Sequence, residues 1–158
     1  MTDDRTDTAG EIGRLLGDRL LGCAESFTAG QLAQAFAAAE GSGDWFRGGV
    51  VAYRREVKHD VLHVPPGPLV NETTAVAMAR GVAELLGVDV AVASTGAAGP
   101  DGLDGAPPGT VVIGWIVDGA TGARSLHLEG DPAEVCGRGT EAALDLLRAA
   151  LAADAAAT

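Results

Sequence analysis

Four short segments of this sequence are almost continuously apolar, and stretches of helical periodicity separate them. The apolar segments are residues 19–25, 48–53, 88–95 and 110–117. A strand with apolar side chains on both faces has to be covered on both faces, and helices usually do this. The sequence therefore predicts an α/β fold, with a sheet between layers of helices.

The end of the sheet is predicted to be antiparallel. The segment "DGATG" (118–122) reads as a tight turn, and 123–130 alternates like a half-exposed fifth strand. The resulting hairpin makes the sheet mixed, and we expect the remaining strands to be mostly parallel. Asn71 and Asp131 are placed to begin helices that run to about Leu86 and Ala153.

Apolar residues at helical spacing define the faces that these helices should bury. The predicted inward residues are Ile12, Leu15, Leu16, Leu32, Phe36, Ala39, Met78, Val82, Leu85, Leu86, Leu144, Leu147 and Leu151.

Composition bounds the class of protein. The chain has 158 residues and 47% apolar residues, which fits a single folded domain over 1–158 with flexible ends at about 1–8 and 153–158. The net charge of −11 disfavours a nucleic-acid partner. No apolar run approaches the roughly 18–20 residues of a membrane span, and we expect no membrane partner.

The start of the sequence lacks the basic and apolar segments of a signal peptide, so a cytoplasmic location is expected. Cys23 and Cys136 are too few and too isolated for a disulfide framework or a zinc site. We therefore expect neither a metal nor another cofactor. Trp45 and Phe46 stand in a glycine-rich segment, where we favour a self-association surface over a core position.

Four cations lie within twelve residues, Arg47, Arg54, Arg55 and Lys58, in a chain with only 11 lysines and arginines. Such a cluster is either a solvated face or a pocket for an anionic small molecule. The sequence pattern leaves both interpretations open.

Three predicted strands end in residues that can carry chemistry. The first ends at Glu25 and Ser26, the second at Tyr53 and the third at Thr95 and Gly96. If these strands are parallel neighbours, their ends meet at one crevice, where ligands of α/β proteins bind.

Ser26 has two interpretations. A serine at a strand-to-helix junction can be a nucleophile, and the free N–H groups of the following helix could then hold an oxyanion. Serine is also a preferred helix cap, which needs no chemistry. By position alone, the cap is the stronger interpretation.

A nucleophilic serine needs a base. His59, His63 and His127 are not clearly paired with an acid, so Lys58 is the better candidate. Burial or neighbouring cations can lower the pKa of a lysine enough for it to act as a base. The alternative is an ordinary exposed helix lysine.

A glycine-rich loop, "TGAAGPDGLDGAPPG" (95–109), follows the third strand. Its glycines let the backbone approach a ligand, and successive N–H groups can form an anion nest. It is neither a Walker A loop nor a dinucleotide fingerprint, and plain turns would explain it equally well.

Five motifs occur together in one order: "AESFTAG", "GSGDWFRGGVVAY", "YRREVK", "STGAAGPDG" and "PPGTV". With these motifs the chain, from about Glu11 to Leu151, resembles the C-terminal domain of the competence/damage-inducible protein CinA. Stand-alone members of that family include nicotinamide mononucleotide (NMN) amidohydrolases. The resemblance implies a three-layer α/β/α sandwich and a serine-type amidase of pyridine nucleotide salvage that needs no cofactor or metal.

By this resemblance Ser26 attacks the carboxamide carbon of NMN, Lys58 is the general base, and Tyr53 assists proton transfer or orientation. Ammonia leaves, and water releases nicotinic acid mononucleotide. The partner is thus a small-molecule nucleotide, and we expect a homo-oligomer, most simply a dimer. The expected substrate-binding residues are Glu25, Thr28, Gly30, Arg55, Thr95, Gly96 and Gly99.

The sequence departs from the family pattern in places. Phe27 and Ala29 replace the usual cysteine and glycine after the serine, and Pro132 and Cys136 stand where the family often has two arginines. The resemblance implies a preceding pyrophosphatase-like domain in longer relatives, which this sequence does not include. These departures keep a second interpretation open, a catalytically altered or inactive relative that binds a nucleotide or another small anion.

Overall fold

The computed structural model describes residues 4–157 and contains a five-stranded sheet in the order β2-β1-β3-β4-β5. The strands are β1 (Leu21–Glu25), β2 (Phe46–Val51), β3 (Val90–Ala97), β4 (Thr110–Val117) and β5 (Ala120–His127). The helices are α1 (Asp4–Leu16), α2 (Gln31–Ala38), α3 (Arg55–Asp60), α4 (Glu72–Leu86) and α5 (Pro132–Ala157), with a 3₁₀ turn at Ser42–Asp44.

The sheet is mixed, as predicted. β1 pairs in parallel with β2 and β3, whereas β3 with β4 and β4 with β5 are antiparallel. The expectation of a mostly parallel sheet is therefore only loosely met, since the two kinds of pairing are equal in number. The physical reason is that no helix connects β3 to β4, and a loop without a crossover helix reverses the chain direction.

Helices cover both faces of the sheet, which confirms the α/β/α sandwich. One core lies between the sheet and α1, α2 and α5, and includes Ile12, Phe36 and Leu147. The other lies under α4 and includes Met78 and Val82. No helix within residues 4–157 is both long and apolar enough to cross a bilayer.

The predicted inward faces are buried, with one clear exception. Leu85 near the end of α4 is 52% exposed, whereas Leu86 packs against the core. Adjacent residues on an α-helix point about 100° apart, so the two leucines cannot both face the sheet.

Trp45 and Phe46 belong to the core, and the expected self-association surface there is wrong. Trp45 is buried and packs edge-on against Phe36, with ring centroids 6.2 Å apart. Phe46 is half-buried and lies 5.4 Å from the same ring. A Cβ at Gly13 of α1 would lie 2.6 Å from the Trp45 indole nitrogen, so Gly13 makes the room that Trp45 fills.

Helix termini follow the predicted caps. Asn71 Oδ1 accepts from the Thr74 N–H at 2.8 Å, and Gly87 ends α4 with φ of 64°. At the start of α5 the Glu134 N–H donates to Asp131 Oδ1 at 2.9 Å, and the Asp131 N–H donates to Glu134 Oε1 at 3.3 Å. This reciprocal arrangement is a capping box.

The ends of the chain are helical wherever the structure describes them. Residues 4–8 lie in α1 and residues 153–157 lie in α5. The rest of the segments that we expected to be flexible, residues 1–3 and 158, lies outside the described residues.

Candidate active site

A crevice of about 350 Å³ lies where the three parallel strands end. Ser26 after β1, Tyr53 after β2 and Gly96 at the end of β3 all line it. The three strand ends that we expected to converge are therefore brought together. The full lining is Ser26, Phe27, Tyr53, Gly96, Ala97, Ala98, Gly99, Asp101, Gly102, Leu103, Pro132 and Cys136.

Ser26 lies in the turn between β1 and α2 and is not the cap of the helix. The α2 N-cap is Gly30, in a left-handed conformation with φ of 102° and without a side-chain cap. The turn is closed by the Ala29 N–H, which donates to the Ser26 carbonyl at 3.0 Å. The helix-cap interpretation of Ser26 is thus wrong, and its side chain lies at the wall of the crevice instead.

The start of α2 is capped by Glu25. Its carboxylate accepts from the Leu32 N–H at 2.8 Å, the Ala33 N–H at 3.0 Å and the Thr28 hydroxyl at 2.7 Å. Thr28 is also 2.8 Å from the Ser94 hydroxyl. A buried carboxylate is stabilised by this many donors and by the positive end of the helix dipole.

Two expectations change as a result. Glu25 and Thr28 are buried and fully engaged with each other and with α2, so neither is placed to touch a substrate. The Leu32 and Ala33 N–H groups are occupied by Glu25, so the first turn of α2 does not form the expected oxyanion site.

The turn itself offers replacement donors. In the part of the chain that the structure describes, the Phe27 and Thr28 N–H groups have no backbone acceptor, whereas those of Ala29 and Gln31 do. In α/β-hydrolases the N–H after the nucleophile forms part of the oxyanion hole. Of these two residues Phe27 lines the crevice and Thr28 does not, so the Phe27 N–H is the donor that a ligand of the crevice could reach.

Lys58 is buried, and the interpretation as an exposed helix lysine is wrong. Only 3% of the residue is exposed, and Nζ donates to the carbonyls of Ala52 at 2.7 Å and Tyr53 at 3.2 Å. The pKa of Lys58 is lowered from 10.5 to about 8, mainly by burial and also by the neighbouring Arg55, whereas Asp104 acts in the opposite direction. A neutral amine that donates two N–H groups to carbonyls keeps its lone pair free to accept a proton.

A signal in the sequence could have identified this residue. The chain has ten arginines and a single lysine, Lys58. Arginine stays protonated in proteins, whereas a buried lysine can lose its proton. A lone lysine among arginines is therefore a candidate for a cation that has to be deprotonated.

Tyr53 and the histidines occupy different positions. Tyr53 is 64% exposed and its side chain stands at the crevice. His59 Nδ1 is 2.6 Å from the Val64 carbonyl. None of the three histidines is among the described residues that line the crevice, and neither is Lys58, whose amine lies against the carbonyl of the lining residue Tyr53.

Arg55 and Thr95 are engaged elsewhere. The Arg55 guanidinium donates to both carboxylate oxygens of Asp104 at 2.9 Å and to the Gly67 carbonyl at 3.2 Å. Thr95 is buried, and its hydroxyl donates to the Leu69 carbonyl at 2.9 Å. Both side chains therefore hold the scaffold together instead of offering the expected substrate contact.

Among the glycines expected to bind substrate, Gly96 and Gly99 line the crevice and Gly30 does not. Gly30 serves the α2 terminus instead. At Gly96 a Cβ would lie 2.8 Å from the Thr110 carbonyl and 3.0 Å from the Phe27 ring, so only glycine fits there.

The first turn of α5 contributes a wall that the sequence pattern did not reveal. Pro132 and Cys136 line the crevice, and the Cys136 thiol donates to the Phe27 carbonyl at 3.1 Å. Asp101 is the charged side chain among the lining residues. Local periodicity places α5 on the sheet but carries no information about which loop it meets.

Comparison with known proteins agrees with this geometry. The family model for the CinA C-terminal domain matches residues 6–151. A CinA-like protein of Mycobacterium marinum is 40% identical over 157 residues, which is 95% of this chain and 37% of the relative. A CinA-like protein of Frankia casuarinae is 41% identical over 137 residues, 84% of this chain and 32% of the relative. The chain thus spans about a third of the length of these curated relatives.

Solved structures match along nearly the whole chain. The crystal structure of a CinA superfamily protein from Klebsiella pneumoniae 700603 has a TM-score of 0.89 and 31% identity, covering 95% of this chain and 99% of that one. A competence or damage-inducible protein from Enterobacter asburiae has a TM-score of 0.90 and 30% identity, with the same coverage.

Proposed function

Because this chain belongs to the CinA C-terminal domain family, we propose that it is a serine amidohydrolase that uses Ser26 and Lys58 to deamidate nicotinamide mononucleotide. The observation that carries the proposal is Lys58. The chain's single lysine is buried in α3, its pKa is lowered to about 8, and its Nζ donates to the carbonyl of Tyr53, which lines the same crevice as Ser26. A lysine with a pKa close to the working pH is suited to general base catalysis.

The first half of the reaction forms an acyl-enzyme. Neutral Lys58 accepts the proton of the Ser26 hydroxyl while Oγ attacks the carboxamide carbon. The carbonyl oxygen becomes an oxyanion, which the N–H group of Phe27 stabilises. The C–N bond then breaks, Lys58 returns the proton to the leaving nitrogen, and ammonia departs from an ester on Ser26.

The second half releases the acid. Lys58 accepts a proton from water, which attacks the ester carbon, and the C–O bond to Ser26 breaks as the proton returns to Oγ. The product, nicotinic acid mononucleotide, is an intermediate of pyridine nucleotide salvage. Tyr53, whose phenol stands at the crevice, orients the carboxamide or relays the proton.

The test is ammonia release from NMN by the purified chain. We expect turnover by the wild type and a loss of at least about a thousandfold in Ser26→Ala, because the nucleophile is removed. Lys58→Arg should lose comparable activity, since arginine does not deprotonate. Ser125→Ala, on the exposed strand β5, is the matched control and should keep full activity. Equal ammonia release by wild type and Ser26→Ala would reject the proposal.

A second candidate is a relative that binds a nucleotide or another small anion without turnover. It is favoured by Pro132 and Cys136, which form part of the crevice wall where the family often has two arginines, so the contacts that this wall offers to a substrate are changed. Calorimetry would show saturable binding of NMN with no ammonia released. Turnover at ordinary enzyme rates, roughly 1 to 1000 per second, would exclude this candidate.

A further inference from the structure

Three segments of the chain meet at the ion pair of Arg55 and Asp104. Arg55 is the first residue of α3, and one nitrogen of its guanidinium, Nη2, lies 2.9 Å from both carboxylate oxygens of Asp104. The same guanidinium donates to the Gly67 carbonyl, and Asp104 Oδ2 accepts from the Leu69 N–H at 3.0 Å. The pair thus joins α3, the loop before α4 and the glycine-rich loop after β3.

The glycine-rich loop forms one wall of the crevice. Ala98, Gly99, Asp101, Gly102 and Leu103 line it. Among the described residues of the loop, two backbone hydrogen bonds join Leu103 and Ala106, and a third joins the Gly109 N–H to the Ala97 carbonyl at its base. A segment rich in glycine and proline with so few bonds of its own depends on an external anchor for a fixed position.

Asp104 is placed to be that anchor. It lies between Leu103 and Ala106 at the tip of the loop, with φ of 50°, a left-handed conformation that aspartate tolerates better than most residues. Its side chain is 20% exposed, whereas that of Arg55 is 46% exposed. Arg55 also donates to the Gly67 carbonyl and Asp104 also accepts from the Leu69 N–H, so the pair is part of a network that holds its geometry better than an isolated surface ion pair would.

We propose that Arg55 and Asp104 are positioning residues of the site: their ion pair fastens the glycine-rich wall of the crevice to α3, the helix that carries Lys58. We call this pair the Arg55–Asp104 clasp. Its role in catalysis rests on the proposed function, but its role in fixing the wall does not. The substrate then meets a wall held at a constant distance from the base, which is a requirement for productive orientation.

The clasp also places two charges near Lys58. Arg55 lowers the pKa of Lys58 and Asp104 raises it, and these are the charged groups that act on this amine. Removing the charge of Arg55 alone should therefore raise the pKa of Lys58, and removing the charge of Asp104 alone should lower it. A purely structural role for the pair would not predict this reciprocal effect.

The experiment uses five variants of the chain. Arg55→Gln and Asp104→Asn each break the clasp with little change of shape, and the double variant completes a thermodynamic cycle. Arg54→Gln is the matched control, since Arg54 is the neighbouring cation but pairs with Glu56 on the surface.

Two measurements need no turnover. Hydrogen–deuterium exchange of residues 98–106 should become roughly fivefold faster in each single variant, with no further increase in the double variant. Isotopically labelled lysine gives one side-chain NMR signal, because the chain has one lysine. Its titration midpoint should rise in Arg55→Gln and fall in Asp104→Asn. Arg54→Gln should leave both readouts unchanged.

The third measurement tests the catalytic part. If NMN is turned over, KM should rise roughly fivefold in Arg55→Gln with a smaller change in kcat. The reason is that the glycine-rich wall contributes to substrate binding, whereas the base, Lys58, is still present. Arg55→Lys, the fifth variant, should recover part of this loss, since it keeps the charge but not the second nitrogen that donates to the Gly67 carbonyl.

Each outcome decides a different claim. Unchanged exchange of residues 98–106 in both single variants, or exchange effects that add in the double variant, would overturn the clasp. Faster exchange and opposite pKa shifts without any ammonia release would uphold the clasp and reject the amidase. An effect of Arg54→Gln equal to that of Arg55→Gln would show a general loss of positive charge, and would overturn the clasp.

Discussion

Lys58 should make the stability of this protein depend on pH in a way that a substitution can isolate. The charged amine is buried, and its pKa in the folded protein is about 8 against 10.5 for an ordinary lysine. Below pH 8 Lys58 is charged in both the folded and the unfolded chain, and burial of this charge destabilises the folded chain. Between pH 8 and 10.5 the unfolded chain binds more protons than the folded chain, so stability rises with pH in this window.

The magnitude follows from the shift. A change from 10.5 to about 8 corresponds to about 3 kcal/mol of difference between the two protonation states. Water in the adjoining crevice screens part of the charge, so we expect about 2 kcal/mol. In Lys58→Met the charge is absent at every pH. The carbonyls of Ala52 and Tyr53 lose a donor in this variant, but that cost does not vary with pH.

The assay is urea unfolding of wild type and Lys58→Met at pH 7 and at pH 10. The difference in unfolding free energy, wild type minus variant, should increase by about 2 kcal/mol between the two values of pH. Comparing the proteins at each pH cancels the titration of other groups, including the two cysteines. A difference that stays constant within about 0.5 kcal/mol would show that Lys58 titrates normally, and would remove the physical basis for its use as a base.

Four substitutions test the scaffold by urea unfolding at neutral pH. Glu25→Gln should lower the free energy of unfolding by about 2–4 kcal/mol, because the amide cannot replace the carboxylate at the α2 terminus. A loss of stability near zero, together with a raised KM for NMN, would instead support the substrate-binding role of Glu25. Gly81→Ala should lower the free energy of unfolding by at least about 1–3 kcal/mol, because its Cβ would overlap the Leu62 carbonyl. Gly10→Ala is its control: the new Cβ has open space in α1, so the free energy of unfolding should rise by about 0.5–1 kcal/mol. Asp131→Ala should cost about 1 kcal/mol through loss of the α5 cap, and no loss would contradict the capping box.

Local patterns were sufficient to predict most of the fold. β4 runs over the predicted residues 110–117, because an apolar run bounded by a glycine and a tight turn has clear limits. The Asn71 cap and the Gly87 terminus of α4 also depend only on neighbouring residues. The convergence of Ser26 and Tyr53 followed from the rule that ligand sites lie at the ends of parallel strands.

Features that depend on contacts between distant segments were harder to predict. Glu25 was expected at the substrate, but the carboxylate turns back and caps the helix that follows. Arg55 was expected to bind the nucleotide, but it pairs with Asp104, which is 49 residues away in the chain. Helical spacing places Lys58 on a short polar helix, and only the packing of the Ala52 and Tyr53 carbonyls around Nζ shows that it is buried. Residue type alone does not decide which of several possible partners a polar side chain finds.

The unusual neighbours of Ser26 can now be understood as one packing solution. Phe27 is almost buried, and its ring lies against two glycines, Gly96 of β3 and Gly139 of α5, where a Cβ would come within 3.0 and 2.7 Å of ring carbons. The bulk of Phe27 is thus accommodated because both neighbouring elements lack a side chain at the contact. Ala29 in the same turn has φ of 47°, a left-handed backbone conformation that is unfavourable for a residue with a Cβ. Glu25 caps α2 from the protein interior, and the turn before the helix leaves the Phe27 N–H without a backbone acceptor next to Ser26, which is the donor that the proposed mechanism needs for its oxyanion.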